Sequence, residues 1–519
     1  MNPNNDLVAL QRSPRDRVRW RKAREKLLGG HCAAALSDYR ELVRHYAGVP
    51  ELWFEFGNAA SGALDFPLAN QAYRRALELA PGNASLLSSI GHQYQGLRQL
   101  DDARSCFEKA VVANPDSVDA RINLAVWLEK ERRLPEAWEQ VEACLARHPR
   151  DDQARYFRAF LRHRRKETSL AEMELRDLIK DGPRYPYVKY ASRHLLGVVL
   201  DELGHYQEAM HWLLEAKMVV RTLTDTSALE RGYDEGERRR QELMASLTSK
   251  TIRSWREEAP ASEGSHRFAF LGGHPRSGTT LLEQILGANP EVMAFDEPVG
   301  FAQEIAGHPK MAGRNSAHAL DQLPATIRAG MRQRYVQSLM REVPGENPAR
   351  MLLDKNPSPT SSLPVWLRVF PELKVIISLR DPRDVVISCF FLNIMLNATN
   401  ANFLSMERTA KHYADLMGIW LRMRDLGGFD WIESRYEDVV EDLETEGKKV
   451  TRFLGLDWHP DQARHEENAS GKILFAPTYH DVTRKVYSSA VGRWERYAKE
   501  MEPVRAMLEP FCQAFGYRI

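Results

Sequence analysis

The chain is poor in cysteine and has almost no net charge. Five cysteines occur in 519 residues, and none forms a CxxC pair or a Cys/His cluster. An odd, scattered set argues against a disulfide framework and against a structural zinc site. The net charge is +1, because 72 basic residues nearly balance 71 acidic residues. A general nucleic-acid or membrane-surface binder is usually more basic, so neither class is favoured.

Long apolar runs are also missing. No run of about 18 apolar residues occurs, so no membrane span is predicted. The first 30 residues contain no apolar segment of the length found in secretory signals. These absences favour a cytoplasmic protein. The composition, 43% hydrophobic and 28% charged, is typical of globular domains, and a chain of this length is expected to form two or three of them.

The first half of the chain repeats with a period of 34 residues. In the copy at 84–117, small residues stand at the 8th, 20th and 27th places, an aromatic at the 24th and a proline at the 32nd. These residues are Gly91, Ala103, Ala110, Phe107 and Pro115; the preceding copy has Gly57, Ala69, Ala76, Tyr73 and Pro81. About six copies fit, the sixth after a four-residue insertion. The pattern resembles the tetratricopeptide repeat and predicts an all-α solenoid over 16–223.

The repeat array has two open interpretations. It is either a spacer or platform, or a concave surface that presents substrate or binds a protein or peptide partner. The arginine-rich stretch at 157–167 is either a ligand patch or, as we favour, a solvated helix face.

The second half alternates strand-like and helix-like segments. Apolar runs at 267–273, 372–380 and 429–439 are each followed by a helical pattern. This alternation predicts an α/β domain with a mostly parallel sheet and a ligand site at the carboxyl ends of its strands. We therefore divide the chain into an N-terminal tail at 1–15, the repeat array at 16–223, a helical linker at 224–265 and the α/β domain at 266–519.

The stretch "FAFLGGHPRSGTT" at 268–280 is typical of a phosphate-binding loop. Its glycines let backbone N–H groups converge on one phosphate, and the helix that follows adds its positive end. Arg276 adds a fixed charge. The candidate ligands are Gly273, Arg276, Ser277, Gly278, Thr279 and Thr280. The Walker pattern requires Lys where this chain has Thr279, which argues against a triphosphate held for γ-transfer.

Together with "SLRDPRDVVIS" at 378–388, this loop resembles the sulfotransferases that use 3′-phosphoadenosine 5′-phosphosulfate (PAPS). The resemblance implies a P-loop-like fold and a grip on the 3′-phosphate by Arg380 and Ser388. The alternative for Arg380 and Arg383 is a pair of salt bridges to Asp381 and Asp384. The resemblance covers about 267–500 and is stronger to tyrosylprotein sulfotransferases than to small-molecule enzymes. The whole chain resembles bacterial-type fusions of repeats with a sulfotransferase domain.

The same resemblance implies the catalytic residues. In "AFDEPV" at 294–299 it places the general base at Glu297, with Asp296 and His274 as alternatives. In "LLDKNPSP" at 352–359 it places at Lys355 the group that steadies the leaving phosphate, together with Arg276. It also implies nucleotide contacts by Tyr436 and, from the closing loop at 477–497, by Thr478, Arg493 and Trp494. Val299 stands where tyrosylprotein sulfotransferases carry Arg, so their peptide specificity does not carry over.

The predicted activity is transfer of a sulfuryl group from PAPS to a hydroxyl acceptor by in-line displacement, with a carboxylate base and without a metal. The acceptor is open: a saccharide, a peptide, a lipid or a metabolite. One alternative is a P-loop-type nucleotide kinase. The other is a repeat scaffold whose second domain binds nucleotide without catalysis.

Overall fold

A computed structural model describes residues 3–63, 65–259, 267–311, 313–340, 351–393, 395–465 and 490–519. The chain forms two compact units, Met1–Leu203 and Gly204–Ile519. The predicted repeat array ends one helix beyond this division, at residue 223. The domain bounds drawn from the sequence stay a prediction, and the two units are described separately below.

The first unit is helical throughout its described residues. Its helices are α1 Pro3–Arg12, α2 Pro14–Leu28, α3 Cys32–His45, α4 Pro50–Gly62, α5 Phe66–Leu79, α6 Ala84–Gly96, α7 Leu100–Ala113, α8 Val118–Lys130, α9 Leu134–Arg147, α10 Asp152–Arg164, α11 Thr168–Asp181 and α12 Pro186–Glu202. The helices α6, α8, α10 and α12 begin at the predicted 34-residue interval. The four-residue insertion is absorbed in α12, which has 17 residues where α10 has 13.

Local sequence explains why the helices begin where they do. Asn83, Ser117 and Asp151 stand one period apart, and each side chain accepts a hydrogen bond from the amide three residues on. These N-caps satisfy amides that have no partner within the helix. The repeated proline follows each second helix by two residues, where it cannot continue the helix.

The small residues of the repeat permit close packing of aromatic side chains. A Cβ on Gly57 would lie 2.4 Å from the ring of Tyr73, and one on Gly91 would lie 2.8 Å from the ring of Phe107. Tyr73 in turn meets Tyr94 of the next repeat edge to face, with 5.7 Å between ring centroids. The aromatic therefore fills the gap between neighbouring repeats, as predicted.

The arginine-rich stretch at 157–167 is largely neutralised by carboxylates. Arg162 pairs with Glu174 at 2.7 Å, and Arg164 pairs with Glu129 at 2.8 Å. These pairs favour the interpretation of a solvated helix face over that of an anion-binding patch.

The second unit begins with three helices and continues with a five-stranded sheet. The helices are α13 Tyr206–Leu223, α14 Thr226–Ser246 and α15 Ser249–Glu257. The strands are β1 Arg267–Gly273, β2 Val292–Asp296, β3 Met351–Lys355, β4 Lys374–Leu379 and β5 Asp430–Arg435. Their order is β2-β3-β1-β4-β5, and every neighbouring pair is parallel. The predicted fold class, helical repeats followed by a domain with a parallel sheet, is confirmed.

Helices follow or connect the strands. They are α16 Thr279–Gly287, α17 Ala317–Asp321, α18 Ala325–Met340, α19 Leu363–Val369, α20 Pro382–Phe390, α21 Met406–Leu426, α22 Tyr436–Glu441, α23 Leu443–Leu454, α24 Ala498–Met501 and α25 Arg505–Ala514. Short 3₁₀ turns lie among them, and a π-helical turn at Phe301–Ala306 follows β2.

Of the five strands in the described residues, three were predicted from the sequence. The predicted run at 267–273 is β1 residue for residue, while β4 and β5 lie inside the runs at 372–380 and 429–439. Sequence analysis did not identify β2 or β3, which have five residues each. A run that short has no period long enough to separate strand from buried helix.

Candidate functional site

Five predicted site elements lie in one row along the carboxyl edge of the sheet. Each lies at the end of a strand or directly after it; from one side to the other, the row is Glu297, Lys355, the loop at 274–278, Arg380 and Tyr436. Neighbouring strands lie about 4.8 Å apart, so three strand spacings, about 14 Å, separate the backbone at Glu297 from that at Arg380. This edge is where parallel sheets bind their ligands.

The loop at 274–278 depends on backbone conformations that favour glycine. Gly273 and Gly278 have φ angles of +128° and +92°. A Cβ on Gly273 would lie 2.3 Å from the carbonyl oxygen of Ser378, and one on Gly278 would lie 2.6 Å from the ring of Tyr436. Arg276 has a φ of +75° without being glycine, which marks local strain of the kind found at ligand sites.

We expect Gly273→Ala to lower the stability of the second unit and to distort the phosphate loop. The new methyl group would push on backbone and occupy an unfavourable φ, so the unfolding free energy should fall by about 2 kcal/mol or more. Gly418 is the control, because it lies inside α21, has no positive φ and has open space beside it. Gly418→Ala should raise the unfolding free energy by about 0.5–1 kcal/mol. Equal changes in unfolding free energy for the two variants, measured by chemical denaturation, would contradict the conclusion that the loop requires glycine at position 273.

Two hydroxyl side chains that were not predicted as site residues hold the loop. The amide of Gly273 donates to Thr360 Oγ1 at 2.8 Å, and Ser378 Oγ donates to the carbonyl of Ser277 at 2.7 Å. Thr360 follows β3, and Ser378 lies on β4. Neither was predicted as a site residue, although Ser378 begins the motif at 378–388, because a single hydroxyl on a strand or turn does not show which backbone group it contacts.

The two signature motifs meet at Arg276. Its Nε donates to Ser388 Oγ at 2.9 Å, and its carbonyl oxygen accepts from Arg380 Nη1 at 3.2 Å. Ser277, Thr279 and Thr280 are buried at the start of α16, whose amides give the loop a positive end. Residues more than a hundred positions apart thus form one basic cluster around the start of α16.

Arg380 has an N–H group that remains available to bind an anion. Its Nε is buried and has no hydrogen-bond partner among the described residues. Its other contacts are the carbonyl of Ala490, the Tyr436 ring at 5.1 Å and the carboxylate of Asp384 at 3.9 Å. A buried guanidinium N–H without a partner is costly, and an anionic ligand would satisfy it.

The alternative pairing of these arginines is present in part. Arg383 forms a two-pronged contact with Asp381, at 2.9 and 2.7 Å, and Asp381 also caps α20. Asp384 lies 3.9 Å from Arg380 and accepts closer hydrogen bonds from the amides of Gly492 and Trp494, at 2.7 and 2.8 Å. Burial raises the pKa of Asp384 to about 6.

The described part of the closing loop lies against α20. The guanidinium of Arg493 stacks on the ring of Phe391 at 3.9 Å, and that of Arg383 stacks on Trp494 at 3.8 Å. Thr478 lies outside the described residues. The nucleotide contacts assigned to Thr478, Arg493 and Trp494 stay predictions.

Lys355 stands between the phosphate loop and two carboxylates. Its side chain is fully buried and pairs with Asp296 and, at 3.1 Å, with Glu297 Oε1. Burial alone would lower the pKa of Lys355, but the charges of Glu297 and Asp296 outweigh it and hold that pKa above its ordinary value. The lysine is therefore charged at neutral pH.

The two neighbouring carboxylates differ in access. The Glu297 side chain is 47% exposed and that of Asp296 is 14% exposed. Glu297 has a φ of +51°, and its amide donates to the carbonyl of Lys355 at 2.8 Å. This strained turn directs the chain out of β2, leaving Glu297 the more accessible carboxylate for an incoming acceptor.

His274 is enclosed in protein. It is fully buried, its Nδ1 lies 2.8 Å from the carbonyl oxygen of Pro275, and its Nε2 lies 2.8 Å from Nδ1 of His412. Burial lowers the pKa of His274 to about 4. This setting does not suit a base that must meet an acceptor. His412 and Trp420, both on α21, are buried as well.

No helix in the described parts of the chain is both long enough and apolar enough to cross a membrane. Within those same parts, no cluster of three or more His, Cys, Asp and Glu side chains is arranged to hold a metal ion.

Two segments of the chain match models of known protein families. Residues 269–460 match the model of the sulfotransferase family, and residues 89–143 match that of the tetratricopeptide repeat. Protein-tyrosine sulfotransferase 1 of Danio rerio is 26% identical over 264 residues, which are 48% of this chain and 71% of that protein. An uncharacterized protein of Aquifex aeolicus is 23% identical over 446 residues, 84% of this chain and 52% of that protein.

A further relative and a solved structure also match. Protein-tyrosine sulfotransferase A of Caenorhabditis elegans is 25% identical over 46% of this chain and 66% of its own length. The sulfotransferase domain of the Synechococcus PCC 7002 olefin synthase is 21% identical, with a TM-score of 0.33, over 50% of this chain and 98% of that domain. The chain thus spans from about half to about seven tenths of the length of the three curated relatives. Both predicted resemblances are confirmed.

Proposed function

We propose that this chain, whose second unit carries a sulfotransferase-family segment, moves a sulfuryl group from PAPS to a hydroxyl acceptor. The observation that carries the proposal is the row along the sheet edge: an accessible carboxylate, a buried lysine, a phosphate loop and an arginine with an unpaired N–H. The row offers cationic groups at two places about 10 Å apart, Lys355 beside the loop and Arg380 beyond it. A nucleotide with phosphate at both ends of its ribose fits that spacing.

The loop suits the 5′ end of such a nucleotide. It has no lysine at the Walker position, but it offers Arg276 and the positive end of α16 to an anion. Arg380 and Ser388 both contact Arg276 and suit the 3′-phosphate. Gly273 and Gly278 let the loop pack directly against the Ser378 carbonyl and the Tyr436 ring, where a side chain would collide.

The order of the side chains along the sheet edge suggests how the sulfuryl transfer proceeds. Bound PAPS supplies an electrophilic sulfur and a phosphate leaving group. Glu297 takes the proton of the acceptor hydroxyl, and the resulting oxygen attacks sulfur as the bond from sulfur to the bridging oxygen breaks. Lys355 and Arg276 stabilise the negative charge that grows on that oxygen. Their charges are fixed before the reaction, so they need no reorganisation.

The repeat array suits a role in presenting the acceptor or binding a partner protein. Arrays of this kind seldom carry chemistry and often bind peptides or proteins. An acceptor screen with radiolabelled PAPS tests this role, using the full chain beside a chain that begins at Gly204. Loss of transfer confined to large acceptors would support presentation, while equal transfer to all acceptors would contradict it.

Calorimetry tests the donor assignment directly. The full chain should bind adenosine 3′,5′-bisphosphate, the product that transfer from PAPS leaves behind, and should bind ATP at least about tenfold more weakly. Preference for ATP would instead support a nucleotide kinase. Tight binding of the bisphosphate without transfer to any acceptor in the screen would support a scaffold with an idle domain.

We expect Arg380→Ala to remove selectivity for the 3′-phosphate. Loss of a charge-assisted contact of about 1.5–3 kcal/mol should weaken adenosine 3′,5′-bisphosphate by about 10- to 150-fold. Adenosine 5′-phosphosulfate lacks that phosphate, so its affinity should change by no more than about threefold. Equal weakening of the two nucleotides in calorimetry would place Arg380 elsewhere.

A further inference from the structure

We infer that His412 is a positioning residue for the donor-binding loop, acting through His274; the inference rests on the proposed function. The two histidines are 138 residues apart in sequence and form a hydrogen bond between buried rings. His274 is the first residue of the loop, while His412 lies on α21, one side of which packs against α20. No part of the proposed reaction uses either ring.

Only one arrangement of protons satisfies both histidines. The carbonyl oxygen of Pro275 can only accept, so the proton of His274 must lie on Nδ1. In a neutral ring the other nitrogen, Nε2, is then an acceptor. The Nδ1 of His412 must therefore carry a proton and donate it to His274. The result is a directional relay from His412 through His274 to the carbonyl of Pro275.

The surroundings of the pair favour neutral rings. His412 packs against the rings of Tyr233 and Phe403, and His274 packs against that of Tyr413. The charged groups that act on His412 are Arg240, Lys411 and Arg408, and all three are positive. The thiol of Cys389 lies 3.9 Å from Nδ1 of His274. Burial first, then the neighbouring His274 and after it these charges, hold the pKa of His412 well below its ordinary value.

The relay ends next to Arg276, the residue that connects the phosphate loop with Arg380 and Ser388. Pro275 is followed by Arg276, which has a strained φ of +75° and contacts Ser388 and Arg380. A peptide group is rigid, so fixing the Pro275 carbonyl also fixes the amide of Arg276. Without the relay, a buried acceptor on His274 would lose its partner, and the strained loop would have less to hold it.

The loss should appear in donor binding rather than in turnover. If the loop holds its binding conformation only about a tenth of the time, the apparent affinity for the nucleotide falls about tenfold. A bound nucleotide then holds the loop itself, so the rate of the chemical step is preserved. A merely structural role would lower stability without separating these two quantities.

The test compares His412→Leu with His412→Asn. Leucine removes the donor, whereas the amide nitrogen of asparagine lies near the place of Nδ1 and can still donate. His412→Leu should weaken adenosine 3′,5′-bisphosphate, and raise the KM for PAPS, about tenfold, with kcat changed by less than about threefold. His412→Asn should stay within about threefold of the natural chain. Should His412→Leu fail to fold, His412→Gln replaces it, because its amide lies one bond farther out.

The outcomes separate this inference from the proposed function. If the natural chain binds the bisphosphate and Arg380→Ala loses it, but the leucine and asparagine variants behave alike, the positioning role is overturned and the function stands. A loss of kcat at constant KM in His412→Leu would also overturn it. If the natural chain does not bind the bisphosphate, the proposed function and this inference both fall.

Discussion

Glu297→Gln should bind adenosine 3′,5′-bisphosphate as tightly as the natural chain and lose about 10² to 10⁴ of its kcat, a range typical of a lost general base. Glutamine keeps the size of the side chain but cannot take the acceptor proton. Lys355 keeps its second partner, Asp296, so its position should be preserved. The measurement pairs calorimetry of the nucleotide with steady-state transfer from PAPS.

Glu304→Gln is the matched control for this variant. Glu304 lies on the π-helical turn just after Glu297, is 17% exposed and pairs with Arg334. Its loss should leave transfer within about twofold. Unchanged turnover in Glu297→Gln would remove Glu297 from the role of base and leave Asp296 as the nearest alternative.

Lys355→Met should cost about 10² to 10³ in kcat, because the charge beside the leaving oxygen disappears. It should also destabilise the second unit by about 3–5 kcal/mol, since Asp296 is left mostly buried without its cation. The catalytic and structural losses must therefore be measured separately, by steady-state transfer and by thermal unfolding.

The double variant Asp296→Asn with Lys355→Met separates the two losses. It removes both charges of the buried pair, so no uncompensated charge is left in the interior. We expect most of the unfolding free energy to return while kcat stays low. Recovery of turnover together with stability would mean that Lys355 only supports the fold.

The repeat array was predictable because its information is local and repeated. The caps at Asn83, Ser117 and Asp151 recur one period apart and need no distant residue to act. The strand β1 was predictable for a related reason, since an apolar run, glycines and a helix start follow one another directly. Each of these signals lies within a few residues of the structure it produces.

The strands β2 and β3 were missed, and with them the geometry that joins Glu297 to Lys355. The register of the sheet sets Asp296 beside Lys355 and Leu271 beside Lys355, so the lysine lies between the acid and the loop. Family resemblance assigned roles to these residues without showing that an ion pair joins them. Their separation in sequence is 58 residues, and only strand pairing closes it.

The sequence alone determined the two-part organisation, the repeat period, the phosphate loop and the resemblance of the second half to sulfotransferases, because each is written in short motifs. The tertiary structure decided which residues cooperate: Arg276 with Ser388 and Arg380, and His274 with His412. Such contacts depend on strand order and on the packing of α20 and α21, which no local pattern encodes. The phosphate loop could be recognised in the sequence, but the side chains that hold it in place could be identified only in the tertiary structure.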